Sequence, residues 1–277
     1  MASRKYQADV DAILARRHDN GADFWATSDG RLAVGDPFST LTSLVVLHEL
    51  KVPRTHEAVH GALDLVRGAW RADGRFRLAP GGAIYPCATA AAARALCRFG
   101  HARDARMPRT LAHFLDTQHE DGGWRCNKFP FGRGPETRFS NPGVTLGVLD
   151  VFRFTEHLNT NPALDRAVDS LLEHWVVRRP TGPCHFGIGT LFMQVEFPFL
   201  RYNLFNYVYV LSFYERARGD QRFQEALRLL QSTLDARGQV IVERPNRRLA
   251  GLSFCAAGRP SELATARYRE ILRNLER

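Results

Sequence analysis

No run of eighteen apolar residues occurs anywhere in this 277-residue chain, so no transmembrane helix is expected. Cysteine is sparse and unpaired. The five present are an odd number without the short spacings of a disulfide framework, which leaves a cytoplasmic location as the expectation. The opening residues, MASRKYQADVD, lack the apolar segment of a secretory leader. Acid is in deficit as well: 29 Asp and Glu against 38 Lys and Arg give a formal charge of +9. That surplus favours anionic partners such as diphosphates or an acidic membrane surface, and equally serves solubility. The arginines are spread over the chain rather than gathered in one run, so only net charge speaks for nucleic acid, and no nucleic-acid partner is expected.

What the chain does have is apolar content, 44%, ordered as a repeat. The pattern is clearest in the middle. Residues 104–118 place Leu111, Phe114 and Leu115 at helical spacing with charge opposite, which predicts an amphipathic helix. Asp121-Gly122-Gly123 stops it, since glycine tolerates the positive φ of a helix end or tight turn. Asn141-Pro142 then starts a second helix, with Asn as N-cap and proline at the first helical position. That helix, GVTLGVLDVF, carries Asp150 as its single charge and is apolar nearly all round, so burial on more than one side is predicted.

The same grammar recurs along the chain. Markers Pro37, Pro86, Pro142, Pro198 and Pro260 lie 49, 56, 56 and 62 residues apart, with Pro245 a rival for the last. Five helix pairs are expected, over residues 6–51, 55–99, 105–156, 162–218 and 221–275, with a strand-like VIVE before the last helix. In each pair the first helix is amphipathic and the second apolar. An open solenoid would leave both helices a solvent face. The expected fold is therefore all-α, an α/α toroid with an inner apolar ring and an outer amphipathic ring, in one domain. An ordinary superhelix of helical repeats is the alternative.

Phe114, Gln118 and Asp121-Gly122-Gly123-Trp124 fall in the pattern FxxxQxxDGGW, which resembles the QW motif of squalene–hopene and oxidosqualene cyclases. The motif also occurs in the β subunits of protein prenyltransferases. Elsewhere it is degenerate: Asp29-Gly30 and Asp73-Gly74 keep only the turn. YPCATAAAARAL, DGGWRC and GRPSELATARYREIL look like a group of small bacterial toroids labelled prenyltransferase- or cyclase-like. The resemblance implies an α/α toroid acting on an isoprenoid or similar apolar small molecule. The chain departs from those families at their chemistry. It has no DxDD proton donor; Asp9-Val10-Asp11-Ala12 is the nearest string, on an expected outer helix. It also has Tyr85 where the prenyltransferase zinc site has Asp two residues before its Cys. Those enzymes act on protein substrates with an α subunit, and no sequence feature speaks for or against such a partner.

Cys87, Cys126, Cys184 and His185 all fall at inner-helix starts or in the loops before them. Thiolate and imidazole suit Zn²⁺, and four such groups would complete a tetrahedral site, although no CxxC or HxxxH spacing supports it. A buried, chemically silent role is the alternative for these cysteines, and Cys97 and Cys255 read as core. His185 beside Cys184 is a candidate acid–base pair. Trp124, Arg125, Lys128, Arg133 and Arg138 in one loop, and Arg178, Arg179 and Arg201 around another, are candidates for gripping a diphosphate or other anionic head group. Tyr202, Phe205, Tyr207 and Tyr209 crowd one inner helix, as an aromatic cavity wall or as core.

Two classes of function follow: a terpene-cyclase- or prenyltransferase-like enzyme with an aromatic cavity and a basic rim, or a non-catalytic toroid that binds lipid or a protein partner. A carbohydrate-active barrel would need paired loop acids, and only Glu136 and Glu196 stand out there.

Overall fold

Side-chain caps and glycine turns cut the chain into helices. The computed structural model describes residues 4–158 and 160–277; the first three residues of the segment read above for a leader lie outside it. The helices are α1 Gln7–Leu14, α2 Thr40–Glu49, α3 Glu57–Gly68, α4 Pro86–Arg98, α5 Met107–Asp116, α6 Pro142–Phe152, α7 Pro162–Val177, α8 Thr190–Met193, α9 Leu204–Leu211, α10 Glu215–Arg218, α11 Gln221–Gln231 and α12 Glu262–Leu275. The chain is all-α in class. Among the described residues the one sheet is a two-stranded ribbon, β1 Ile241–Val242 antiparallel to β2 Arg259–Pro260.

Prolines 86, 142 and 162 stand at the first helical position as expected. Pro37 and Pro198 do not, because Ser39 caps α2 and Asn203 caps α9, each accepting a hydrogen bond from a backbone N–H of the first turn. Asn141 makes no cap bond; its Oδ1 accepts instead from the Cys126 backbone N–H, 2.5 Å away. The expected cap residue thus ties α6 to the loop that precedes it.

The contrast between the two kinds of helix holds. α3, α5 and α11 bury one stripe each, whereas all eight residues of α9 are buried and α6 is buried at every position except Gly143. α2, α4, α6, α9 and α12 touch one another in that order, and α3, α7 and α11 pack against members of this series. The alanine face of α4 and Gly147 of α6 allow the closest approach: a Cβ at Gly147 would lie 3.8 Å from the Ala90 Cβ.

A lock recurs between the turn after an amphipathic helix and the fourth residue of α4, α6 and α12. The backbone N–H groups of Phe76, Trp124 and Val240 donate to the Oγ1 atoms of Thr89, Thr145 and Thr265, at 3.3, 3.1 and 3.0 Å. The Asp-Gly turns lock outward in the same repeated way. A Cβ at Gly74 would meet the Arg109 carbonyl oxygen at 2.5 Å, and one at Gly122 the Arg166 carbonyl oxygen at 2.5 Å. Both glycines also have positive φ, 89° in each case, so glycine is required twice over. The QW-like segment is the most elaborate of these staples. Gln118 Nε2 donates to the Gly122 and Ala163 carbonyls, both at 2.6 Å. The Trp124 indole N–H donates to the Phe114 carbonyl at 2.8 Å, satisfying one of the carbonyls left open at the end of α5. Trp124 is buried, 1% exposed, and is not among the residues lining the cavity described below.

The core also holds a charged network. Asp150 accepts from Arg94 (2.7 Å), Arg98 (2.8 Å) and Arg153, and Glu49 from Arg98 (3.2 Å) and Arg267 (2.9 Å). Arg267 also reaches Glu270 at 2.9 Å, whose carboxylate accepts the Tyr209 hydroxyl at 2.9 Å. Burial alone would push the Asp150 carboxyl up, but Arg153, Arg98 and Arg94 hold it well below the carboxylate range. The Arg267–Glu49 pair joins α12 to α2. Asp9 of α1 likewise accepts from the backbone N–H and hydroxyl of Ser253, at 2.9 and 2.7 Å, and from the Phe254 N–H at 3.0 Å.

Candidate functional site

The fourth unit breaks the pattern, and there a pocket opens. α7 ends on Arg178 in the left-handed region, φ 58°, and 26 residues separate α7 from α9. The fourth position of α9 is Tyr207, so the threonine lock is missing. The long segment folds back over the N-terminal ends of α6 and α9 and borders an open cavity of about 470 Å³.

One wall is apolar: Phe186, Leu191, Phe192, Leu200 and the Tyr202 ring line it. Phe186 lies across the start of α6 because Gly143 has no side chain; a Cβ there would sit 2.6 Å from the ring. The other wall is polar, with Arg94, Arg201, Arg244, Glu196, Asn206 and His185. Three buried atoms on these side chains have no hydrogen-bond partner: Arg94 Nη2, Glu196 Oε1 and Asn206 Oδ1. Leaving such groups unpaired costs about 1–3 kcal/mol each, more for charged ones, and a charge-bearing ligand would offset that cost. Arg94 Nε is spent on Asp150, so the buried network aims the free face of this guanidinium at the cavity.

Glu196 is 3% exposed. Its nearest cation, Arg201 Nε, is 3.8 Å away, beyond hydrogen-bond range. Burial pushes its carboxyl up, and Arg201 and Arg244 only partly offset this. Tyr202 is oriented by His174. The His174 Nε2 faces the Arg179 carbonyl at 3.1 Å and Nδ1 faces the Tyr202 hydroxyl at 2.9 Å. The carbonyl can only accept, so Nε2 carries the proton and Tyr202 donates to Nδ1. Burial lowers the His174 pKa, opposed by backbone hydrogen bonds to Arg179 and Phe186.

The residues singled out from sequence divide into several groups. Arg201, Tyr202 and His185 line the cavity. His185 adopts a left-handed φ of 58°. Phe205 and Tyr209 are fully buried and lie in the core rather than in the cavity wall, with Phe199 packed between their rings at 4.8 and 4.9 Å. Their helix is buried on all sides, so only its first turn reaches the cavity. The loop of Arg125, Lys128, Arg133 and Arg138 meets the long segment directly. The Gly132 N–H donates to the Pro183 carbonyl at 3.1 Å and the Gly182 N–H to the Glu136 carbonyl at 3.0 Å. Its cations do not line the cavity, however. Arg125 bonds the Thr137 carbonyl, Arg133 those of Pro130 and Gly132, and Lys128 sits over the Phe129 ring. Phe129 and Phe131 are exposed and stacked, with centroids 5.7 Å apart.

Cys184 is brought against Cys126, while Cys87 lies in the first turn of α4. The Cys184 thiol donates to the Cys126 carbonyl at 3.1 Å. His185 lines the neighbouring cavity. Among the described residues no group of three or more His, Cys, Asp or Glu side chains is placed to hold a metal ion, and no helix is long and apolar enough to cross a membrane. Cys97 and Cys255 are buried, as expected.

Arg94, Asn206 and Arg244 escaped the sequence reading. Arg94 carried a usable signal, being one of two cations, with Arg98, in the alanine-rich helix α4. Arg244 carried none, because it comes from the loop after β1, far along the chain. Comparison of the chain with protein-family models and with the curated proteins finds no match.

Proposed function

We propose that the five helix pairs form an α/α toroid whose cavity binds a small molecule with an apolar body and an anionic head, of the isoprenoid diphosphate class. The observation that carries this reading is the cavity itself. An aromatic and aliphatic wall faces three arginines against a single acid, and three of the buried polar atoms around it lack partners. Arginine clamps match phosphate oxygens in charge and geometry, while the apolar wall suits a hydrocarbon chain. The ring arrangement is supported by the order of inner-helix contacts and by the Arg267–Glu49 pair between the last inner helix and the first. The QW-like segment supplies the substrate class. In the enzyme reading, Glu196 and His185 are the cavity groups able to move a proton; neither repeats the DxDD arrangement.

A second reading is a non-catalytic toroid that presents a surface to a lipid or protein partner. The exposed Phe129–Phe131 stack beside Lys128 favours it, since exposed aromatics rimmed by cations mark interaction surfaces.

The test is titration calorimetry with farnesyl diphosphate, farnesol and inorganic diphosphate, on the wild type and an Arg201→Ala/Arg244→Ala double variant. Farnesyl diphosphate should bind more tightly than either fragment, and the double variant should lose about tenfold or more of that affinity. Indistinguishable affinities across all three ligands, or a variant that binds as well as wild type, would sink the reading. Product analysis after incubation with farnesyl diphosphate separates enzyme from binder.

A further inference from the structure

Among the described residues nine large apolar side chains are exposed, and six of them fall between residues 129 and 191: Phe129, Phe131, Phe139, Val176, Val177 and Leu191. They come from two segments that lie side by side. The loop of Phe129 and Phe131 is hydrogen-bonded to the long segment of the fourth unit, Gly132 to Pro183 and Glu136 to Gly182. Phe139, Pro142 and Val177 share a second, apolar groove of about 380 Å³, with His174 and Thr181 in its wall. Leu191 carries the patch on to the wall of the first cavity. Exposed apolar groups gathered in this way mark an interaction surface.

The charge on this face decides what it meets. The loop of residues 125–139 holds four cations against one acid, Glu136. Among the described residues Arg125, Lys128, Arg133, Arg138 and Arg179 enter no ion pair. Arg125 and Arg133 bond carbonyl oxygens, and Lys128 sits over the Phe129 ring. Cations on other faces are answered locally: Arg31 by Asp29 at 2.7 Å, Arg75 by Asp73 at 2.6 Å and Arg216 by Asp169 at 2.8 Å. Exposed rings and aliphatic groups beside unneutralised cations fit a bilayer with acidic head groups. A nucleic acid would use the cations and the rings but leave Val176, Val177 and Leu191 in water.

We propose that this face docks the chain on an acidic membrane surface. Phe129 and Phe131 enter the lipid chains, the basic residues meet the head groups, and one lipid chain lies in the groove between Phe139 and Val177. The proposal rests on the exposed surface of the second reading above and names its partner, and it holds whether or not the cavity takes an isoprenoid. The groove backs onto the cavity. His174 lines the groove and accepts the Tyr202 hydroxyl of the cavity wall at 2.9 Å. Thr181 of the groove pairs through its backbone with Phe186 of the cavity, at 2.7 and 3.1 Å. A docked bilayer thus lies alongside the apolar wall of the cavity.

The experiment sediments the full-length chain with vesicles of phosphatidylcholine, alone or mixed with phosphatidylglycerol. No cavity ligand is present, so the outcome is separate from the calorimetry with farnesyl diphosphate. The mixed vesicles should bind about tenfold or more tightly than the neutral ones, and concentrated salt should remove the difference. Phe129→Ser/Phe131→Ser and Arg133→Ala/Arg138→Ala should each weaken binding by about fivefold or more. Leu65→Ser and Leu229→Ser alter exposed apolar residues of α3 and α11 and should leave binding unchanged. Thermal unfolding of each variant confirms that binding is read on folded protein. Phe131→Trp and Phe139→Trp add an indole at the loop and at the groove, and lipids brominated in their chains should quench both. The proposal is overturned if neutral and mixed vesicles bind alike or if the α3 and α11 variants weaken binding as much as the loop variants. It is also overturned if either added indole escapes quenching. Absence of binding to any vesicle would overturn it as well, and would leave the face to a protein partner.

Discussion

The third and fourth units share a plan and differ in what they leave unpaired. In the third, Asp121 accepts from the Gly123 N–H (3.2 Å), the Ser140 N–H (2.7 Å) and the Ser140 hydroxyl (2.6 Å). Trp124 is held at both its backbone and its indole nitrogen, and Asp150 is met by three guanidinium groups. In the fourth, the lock threonine is replaced by Tyr207, the connection lengthens, and Glu196 and Asn206 keep bare oxygens beside a cavity. In the third unit these two acids are answered, Asp121 by its own residues and Asp150 also by Arg94 and Arg98 of the second, although Asn141 Nδ2 is left without a partner, and that pairing holds the fold. A unit with unanswered groups has them available for a ligand. The cost of the second is borne by the stability of the first, as is usual for strained or unsatisfied sites in otherwise consistent folds.

The largest expected effect comes from breaking the well-paired side. Asp150→Asn should destabilise the protein by about 3–5 kcal/mol, because three buried guanidinium groups lose their shared anion, as measured by urea denaturation. The Asp150 charge is stabilised by folding, so its contribution is complete above the ordinary carboxylate value near pH 4. It declines as pH falls through that value toward the depressed folded one. The gap between wild type and Asp150→Asn should therefore narrow on acidification, and a gap that widens would contradict the pairing described.

Thr145→Val tests the lock. It leaves the buried Trp124 N–H without an acceptor and should cost about 1–3 kcal/mol. Ser43 supplies the control: it holds the same fourth position in α2, but its hydroxyl has no partner, so Ser43→Ala should fall within about 0.5 kcal/mol of wild type. Equal effects at the two positions would show that the lock is not what distinguishes them.

The smallest and most diagnostic change is Glu196→Gln in the fourth unit. Its carboxyl is pushed up by burial, so the sign is the reverse of that at Asp150. The side chain is most compatible with folding when protonated, below about pH 4, and becomes a liability as pH rises through its raised folded value. Glu196→Gln should stabilise the chain by about 1 kcal/mol near pH 7, and the gain should shrink on acidification. A loss of stability near pH 7 would mean that the charge of Glu196 is already answered within the fold.

The repeat was legible because it rests on local chemistry. Apolar periodicity, Asp-Gly turns, and Pro or Ser at helix starts act within a few residues, so α4, α6, α7 and α12 begin where those signals stand. Pro37 and Pro198 misled because the actual caps, Ser39 and Asn203, lie a few residues further on. Loop position alone groups the cysteines, since all three precede or open α4, α6 or α9, and the structure sets Cys184 against Cys126. His185 was grouped with them by the same rule and instead lines the cavity. The aromatic run of the fourth inner helix could not be divided from sequence. Periodicity marks the helix as buried, but not which of its turns faces a void.

The sequence by itself determined the helical class, the alternation of amphipathic and buried helices, and the turns that separate them, because propensity, capping and patterning are short-range. Only the tertiary structure decided which polar atoms are satisfied. Arg94, Glu196, Asn206 and Arg244 span 151 positions of the chain, and whether each is paired depends on groups brought near by other units. Hydrogen bonding and desolvation act through space at a few ångströms, and that distance is set by packing rather than by order along the chain.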